Sequence, residues 1–196
     1  MVLLYYPAER IMPTGAKLRS YLQLNDPVAG HRRFWWRWQP ALWADAGRIA
    51  LAVGAVRFAL SPGLATDDAW ATVILGALLL PGLMLQMVTR RKDGAMYAPV
   101  GYAIATLVVL LPPITALQVA VISIVALGAI RYFDAFFLGG GATSLALGLL
   151  PGAPKLSALL VAAVFILPVL LAAMFRRKLV LPVRSRAKTV LPEPLR

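Results

Sequence analysis

Six stretches of this chain approach the length and apolar character of helices that cross a lipid bilayer, although Tyr97–Leu111 is short and Ala41–Leu60 is the least apolar. A spanning helix needs about 20 mostly apolar residues, because each residue advances about 1.5 Å and the hydrocarbon core is about 30 Å thick. The sequence therefore predicts an all-α fold, a polytopic transmembrane bundle of about six helices. The predicted helices are Ala41–Leu60, Ala69–Val88, Tyr97–Leu111, Ile114–Ile130, Phe133–Leu150 and Leu156–Phe175.

Composition agrees with a membrane protein. Hydrophobic residues make up 60% of the 196 and charged residues only 14%, whereas soluble domains carry roughly 25% charged residues. The chain has no cysteine and one histidine, which excludes disulfides, thiolate metal sites and cysteine catalysis. We expect no metal site and no cofactor, and the few carboxylates, mostly outside the apolar stretches, argue against an enzyme.

Turn and charge signals separate the predicted helices. The weakest separator is Arg131, so a single helix running through residues 114–150 is an open alternative. Prolines also lie inside two of the apolar stretches, and Pro81-Gly82 and Pro168 are predicted to interrupt their helices. Each such interruption frees a backbone carbonyl that neighbouring groups must satisfy.

The distribution of positive charge predicts orientation. Cytoplasmic loops of membrane proteins collect Lys and Arg, and threading six helices with the N-terminus inside places 18 of the 20 cations on that side. We expect both chain ends to be cytoplasmic and the protein to be multi-pass in the cell membrane. The same threading explains the net charge of +12 without a nucleic-acid partner.

Three parts follow from this threading. Residues 1–40 form a basic and aromatic cytoplasmic segment, residues 41–178 the transmembrane bundle, and residues 179–196 a basic, proline-containing cytoplasmic tail. Within the first part, Lys17–Leu24 is predicted to form one or two turns of amphipathic helix at the membrane surface.

The N-terminal part carries a cluster of indole and guanidinium groups just before the first predicted helix. Indoles favour the headgroup region, and arginines are attracted to anionic lipids. We predict an interfacial anchor with anionic lipid headgroups as its partner. The residues are Arg32, Arg33, Trp35, Trp36, Arg37 and Trp38.

Charged residues inside the apolar stretches are candidates for function, because a charge in hydrocarbon must pair, reach the surface or line a cavity. Arg57 is near the outer end of the first helix, where it can extend to the surface, pair with Asp67 or Asp68, or bind an anionic group. Two further pairs at i, i+3 spacing can form ion pairs within a helix. They are Asp45 with Arg48 and Arg131 with Asp134.

A run of three glycines, Gly139, Gly140 and Gly141, lies within the fifth apolar stretch. It allows two interpretations, a small-residue stripe for close helix packing or an opened backbone that offers N–H groups to a phosphate. The segment Phe137–Gly148 resembles the glycine-rich loop of membrane glycerol-phosphate acyltransferases over about a dozen residues. The lysine of that loop is absent here, so the resemblance does not assign the family.

Three functions remain open at this level. The leading hypothesis is a non-catalytic subunit or accessory component of a membrane assembly, with another membrane protein as partner. The second is a small-solute or lipid transporter that uses Arg57 and the two prolines. The third is a lipid-modifying enzyme of the acyl- or phospho-transfer type that uses the glycine run.

Overall fold

A computed structural model describes residues 2–6, 17–24, 40–60, 69–87 and 95–183. Within these ranges the chain is mostly helical and contains one small sheet. The helices are α1 (Val2–Tyr5), α2 (Tyr21–Leu24), α3 (Pro40–Leu60), α4 (Ala69–Met87), α5 (Val100–Leu110), α6 (Pro113–Ile130), α7 (Phe133–Gly148) and α8 (Lys155–Met174). The strands are β1 (Lys17–Arg19), β2 (Ala95–Tyr97) and β3 (Lys178–Val183).

Each of the six predicted apolar stretches forms a helix, from α3 to α8. Three of these helices are long and apolar enough to cross a membrane, namely α4, α6 and α8. The other three fall short by length or charge, since α5 has 11 residues, α7 has 16, and α3 contains Asp45, Arg48 and Arg57. These three helices support the prediction of a membrane protein, but they do not establish six spans.

The sheet corrects the all-α expectation. β3 is its central strand and pairs antiparallel with β1 and parallel with β2. Residues 17–19 are thus a strand, not the start of the predicted amphipathic helix, and only Tyr21–Leu24 of that segment is helical. The tail was predicted to begin at residue 179, but its first residues belong to β3, which runs from Lys178 to Val183.

The sheet lies at one end of the helical bundle, which we call the sheet end. β2 leads directly into α5, and β3 follows α8. The ring of Tyr21 in α2 meets the ring of Phe133, the first residue of α7, edge to face at 5.7 Å. The starts of α5 and α7 and the end of α8 therefore lie at the same end of the bundle.

Helices α6, α7 and α8 form one packed group, with α7 in contact with both neighbours. Its centre is aromatic, since the rings of Phe136 and Phe165 stack at 5.6 Å and Phe137 meets Phe165 edge to face. A second group consists of α3, α4 and α5, and α8 joins the two by contacting both α4 and α5.

The break at Arg131 is confirmed, and the alternative of one helix through residues 114–150 is wrong. Arg131 takes a left-handed backbone conformation (φ 63°), which ends α6, and its amide donates to the Leu127 carbonyl. In contrast, Pro81 and Pro168 do not interrupt their helices, because α4 and α8 continue through them.

Candidate functional site

The most unusual polar arrangement of the described residues lies near the sheet end, between α1, α3 and α4. It consists of Asp45 and Arg48 from α3 and Gln86 from α4, which we call the polar cluster. Asp45 is 2% exposed and Gln86 3%. Charged and amide side chains this deeply buried are rare unless hydrogen-bonded, so the partners of these three residues define what the cluster does.

Asp45 and Arg48 form the ion pair that their spacing allows. The Arg48 Nη2 atom lies 2.5 Å from Asp45 Oδ1, and both side chains are almost fully buried. Pairing is necessary here, because an isolated charge removed from water is strongly destabilising. The pair therefore offsets part of the cost of burying both charges in α3.

The second partner of the cluster is the backbone of α1. Arg48 Nη1 donates to the carbonyl oxygens of Leu3 and of Tyr6, the latter at 2.8 Å. Gln86 Nε2 donates to the Leu4 carbonyl at 3.4 Å. The last carbonyls of a helix have no partner within the helix and carry partial negative charge, so a guanidinium and an amide at this position cap α1 from outside.

Several polar atoms of the cluster keep no hydrogen-bond partner among the described protein groups. They are Asp45 Oδ2, Arg48 Nε and Gln86 Oε1. Buried polar atoms without a partner are destabilising, and their concentration at one place marks this as the least satisfied part of the described interior. Asp45 Oδ2 faces Gly101, where a Cβ atom would lie 3.4 Å from it.

Two tyrosine hydroxyls bind α4 about two turns before Gln86. Tyr5 Oη donates to the Leu78 carbonyl at 3.1 Å, and Tyr102 Oη donates to the Leu79 carbonyl at 2.7 Å. Both carbonyls precede Pro81, where the missing amide weakens the helix ladder. The carbonyl that Pro81 leaves without its amide partner is that of Ala77, four residues earlier. The two tyrosines therefore hold α1 and α5 to α4 beside that position and do not bind the freed carbonyl itself.

Arg57 binds the backbone of a neighbouring helix. Its Nη1 atom donates to the carbonyl of Val109, in the last turn of α5. A cation at the carboxyl end of a helix is favourable because the unpaired carbonyls there carry partial negative charge. Its predicted partners Asp67 and Asp68 lie outside the described residues.

Arg131 and Asp134 do not form the ion pair that their spacing allows. Arg131 is exposed, and Asp134 lies in the first turn of α7 with its Oδ1 atom buried and unpartnered among the described groups. The left-handed conformation at Arg131 separates the two helices, so the residues do not share one helical face. An acidic side chain in a first turn is favourable to the helix dipole.

The glycine run is helical and tightly packed. A Cβ on Gly139 would lie 2.9 Å from the Cβ of Ala126 in α6, and one on Gly141 would lie 2.6 Å from Ile166 Cγ1 in α8. One on Gly140 would overlap the ring of Phe165. These approaches agree with the interpretation as a close-packing stripe. Because the run is inside α7, its backbone is not opened into a phosphate-binding loop.

The predicted interfacial anchor at residues 32–38 lies outside the described residues. Sequence reasoning also missed the docking of α1, since six apolar residues ending at a proline carry no recognisable signal for a buried helix. The available signals for the polar cluster were the Asp45–Arg48 spacing and the single amide of Gln86, each within an apolar stretch.

Within the described ranges, no three His, Cys, Asp or Glu side chains come together as a group that could hold a metal ion. The polar cluster instead offers one carboxylate, one guanidinium and one amide, a set suited to binding backbone carbonyls and small polar groups. Comparison with known protein families, curated proteins and solved structures gives no match.

Proposed function

We propose that this protein is a multi-pass membrane protein that serves as a non-catalytic component of a membrane assembly. The membrane part of the proposal is supported by the three described helices α4, α6 and α8, which are long and apolar enough to span.

Orientation is supported by where the described cations lie. The sheet end carries Arg19, Arg48, Arg131 and the run Arg176–Lys178, whereas Arg57 and Lys155 belong to the opposite end. An excess of Lys and Arg on the cytoplasmic side is the general rule for membrane proteins. The proposal therefore places the sheet end at the cytoplasmic face of the cell membrane, in contact with anionic headgroups.

One observation carries the non-catalytic role: the buried polar side chains bind the backbone of neighbouring elements. Arg48 and Gln86 hold α1, Tyr102 holds α4, and Ser144 Oγ donates to the Ala158 carbonyl of α8 at 2.9 Å. Groups engaged in this way stabilise helix–helix contacts. None of these described groups is paired with a second group as a general acid or base.

The assembly role is supported by α6. Only 17% of the residues of this helix are buried inside the protein, and the helix packs mainly against α7. In a bilayer an apolar face contacts lipid or another helix, and the proposal assigns part of this face to another membrane protein. The large exposed apolar residues of this helix are Ile114, Leu117, Val121, Ile122, Ile124, Val125 and Ile130.

The test is the mass of the protein extracted from its native membrane in a mild detergent, measured by light scattering after size exclusion. We expect a discrete complex heavier than the 21.1 kDa chain. Val121→Trp and Val125→Trp on the exposed face of α6 should reduce that mass, whereas Leu159→Trp at an exposed position of α8 should not. A monodisperse single chain would contradict the assembly role.

A transporter of small polar solutes is the second candidate, and the unsatisfied atoms of the polar cluster favour it. A transport path needs polar groups inside the bundle that can face water. Under this alternative, Asp45→Asn and Arg57→Ala change solute flux in reconstituted vesicles. Unchanged flux in both variants would remove it. The glycine run, being helical and tightly packed, gives no support to a lipid-modifying enzyme.

A further inference from the structure

Helix α1 has little to hold it in place except its contacts with α3 and α4. It has four residues, and a helix this short has no stability of its own, because forming the first turn is unfavourable. Leu4 is its one described fully buried side chain, at 1% exposed, whereas Leu3 is 49% and Tyr6 38% exposed. Its position therefore depends on Leu4, the partly buried ring of Tyr5, the Arg48 guanidinium 6.0 Å from the Tyr6 ring centre, and a few hydrogen bonds.

Those hydrogen bonds recognise the main chain of α1. Arg48 and Gln86 bind carbonyl oxygens of residues 3, 4 and 6, and Tyr5 contributes one further bond to α4. The apolar side chain of Leu4 lies against Gly82, where a Cβ would be 3.3 Å from Leu4 Cγ. The absence of a side chain at Gly82 is what makes room for Leu4.

The docked position also leaves polar atoms unsatisfied. Asp45 Oδ2, Arg48 Nε and Gln86 Oε1 are buried without a described protein partner, and Gln86 sits directly against Leu4. When α1 leaves, these atoms gain access to water, which offsets the lost contacts of Leu4. The unsatisfied atoms therefore lower the free-energy cost of releasing α1.

We propose that α1 is a detachable plug that covers the polar cluster at the sheet end of the bundle. Docked, it excludes water from Asp45 and Gln86; released, it admits water and small polar solutes to them. The rest of the bundle stays folded during this motion, because nearly all of its buried core lies in α3 to α8 and only Leu4 belongs to α1. The proposal does not rest on the assembly role.

Cysteine labelling tests the plug, since the chain has no native cysteine. Leu3→Cys, Leu4→Cys, Gln86→Cys and Val161→Cys are made singly, and the rate of reaction with a small maleimide is measured on the full-length protein in detergent. Val161, 0% exposed in α8, reports unfolding of the whole bundle. We expect the thiol at position 3 to react fastest, those at positions 4 and 86 at one shared intermediate rate, and that at position 161 slowest.

Tyr5→Phe supplies the matched perturbation. It removes one hydrogen bond between α1 and α4 and leaves the Asp45–Arg48 pair intact, so the thiols at positions 4 and 86 should both react about fivefold faster. The rate at position 161 should not change.

Two labelling results would overturn the proposal. Equal rates at positions 4 and 161 would show that α1 leaves only on global unfolding. Labelling at position 4 without labelling at position 86 would show that release of α1 opens no path to the polar cluster.

The Gln86→Cys protein, in which Leu4 is intact, guards against loosening of α1 by the Leu4 substitution itself. Its thiol should react faster than the thiol at position 161, and equal rates at these two positions would also overturn the plug.

Discussion

Gly140 is the residue at which the described bundle leaves least room for a side chain. A Cβ there would lie 2.5 Å from Ser123 Oγ and closer still to the ring of Phe165. Both neighbours are buried, and Phe165 also stacks on Phe136. A methyl group at this position must therefore displace an aromatic ring that holds α7 and α8 together.

We predict that Gly140→Ala lowers the free energy of unfolding by about 2 kcal/mol, as overpacking of a well-filled core does. The measurement is denaturant unfolding in detergent micelles. Gly128→Ala is the matched control, because nothing lies within 4 Å of a Cβ at that position in α6. It should be neutral or stabilising by up to about 1 kcal/mol. Equal effects of the two substitutions would contradict the packing account.

Arg57 gives the second prediction at this scale. Arg57→Met keeps the aliphatic part of the side chain but loses the bond to the Val109 carbonyl, and we expect the bundle to be destabilised by about 1–2 kcal/mol. Lys155→Met, an exposed cation at the same end, should change stability by less than about 0.5 kcal/mol. Matching losses in thermal unfolding of the two variants would show that Arg57 has no capping role.

Single residues were predictable from the sequence where the signal was local. The Asp45–Arg48 ion pair follows from i, i+3 spacing, and it forms. The same spacing failed for Arg131 and Asp134, because a helix boundary lies between them. The binding of the α1 backbone by Arg48 and Gln86 joins positions more than 40 residues apart, which no local pattern encodes.

At the scale of elements, the left-handed residues that end two helices stand out. Arg131 ends α6 with φ 63°, and Arg176 follows α8 with φ 53°. Glycine is the usual residue at such positions because it lacks the Cβ that makes this conformation unfavourable. An arginine at either position therefore makes the folded protein less stable than a glycine at that position would.

Arg131→Gly should therefore stabilise the protein by about 1 kcal/mol, and Arg131→Val should destabilise it, since branched side chains tolerate positive φ least. Thermal unfolding of the two variants in one detergent compares them directly. A loss of stability in Arg131→Gly would mean that the arginine side chain makes a stabilising contact at the sheet end.

Apolar length and turn signals were sufficient to predict the six helices of the bundle to within a few residues. The strands were not predictable in the same way. β1 and β2 have three residues each, too few to show an alternating pattern, and each is stabilised only by pairing with β3. Sheets built from such distant pieces depend on tertiary contacts that a window along the sequence does not contain.

At the scale of the whole molecule, the sheet joins segments from the beginning, middle and end of the described chain at a single end of the bundle. If that end is cytoplasmic, reporters fused to the two chain termini must both be active in the cytoplasm. A phosphatase that works only outside the cytoplasm should be inactive at both termini and active when inserted at residue 152, between α7 and α8. Activity of the two terminal fusions on opposite faces would contradict the threading.

The central position of β3 has a consequence for biosynthesis. β1 and β2 emerge from the ribosome long before the strand that lies between them, and neither has a described partner strand until translation has passed α8. Pairing of the three strands is therefore a late step. It can occur only after the preceding helices have packed in positions that bring β1 and β2 beside β3. A nascent chain stalled before residue 178 should leave both short segments open to proteases, and release of the complete chain should protect them.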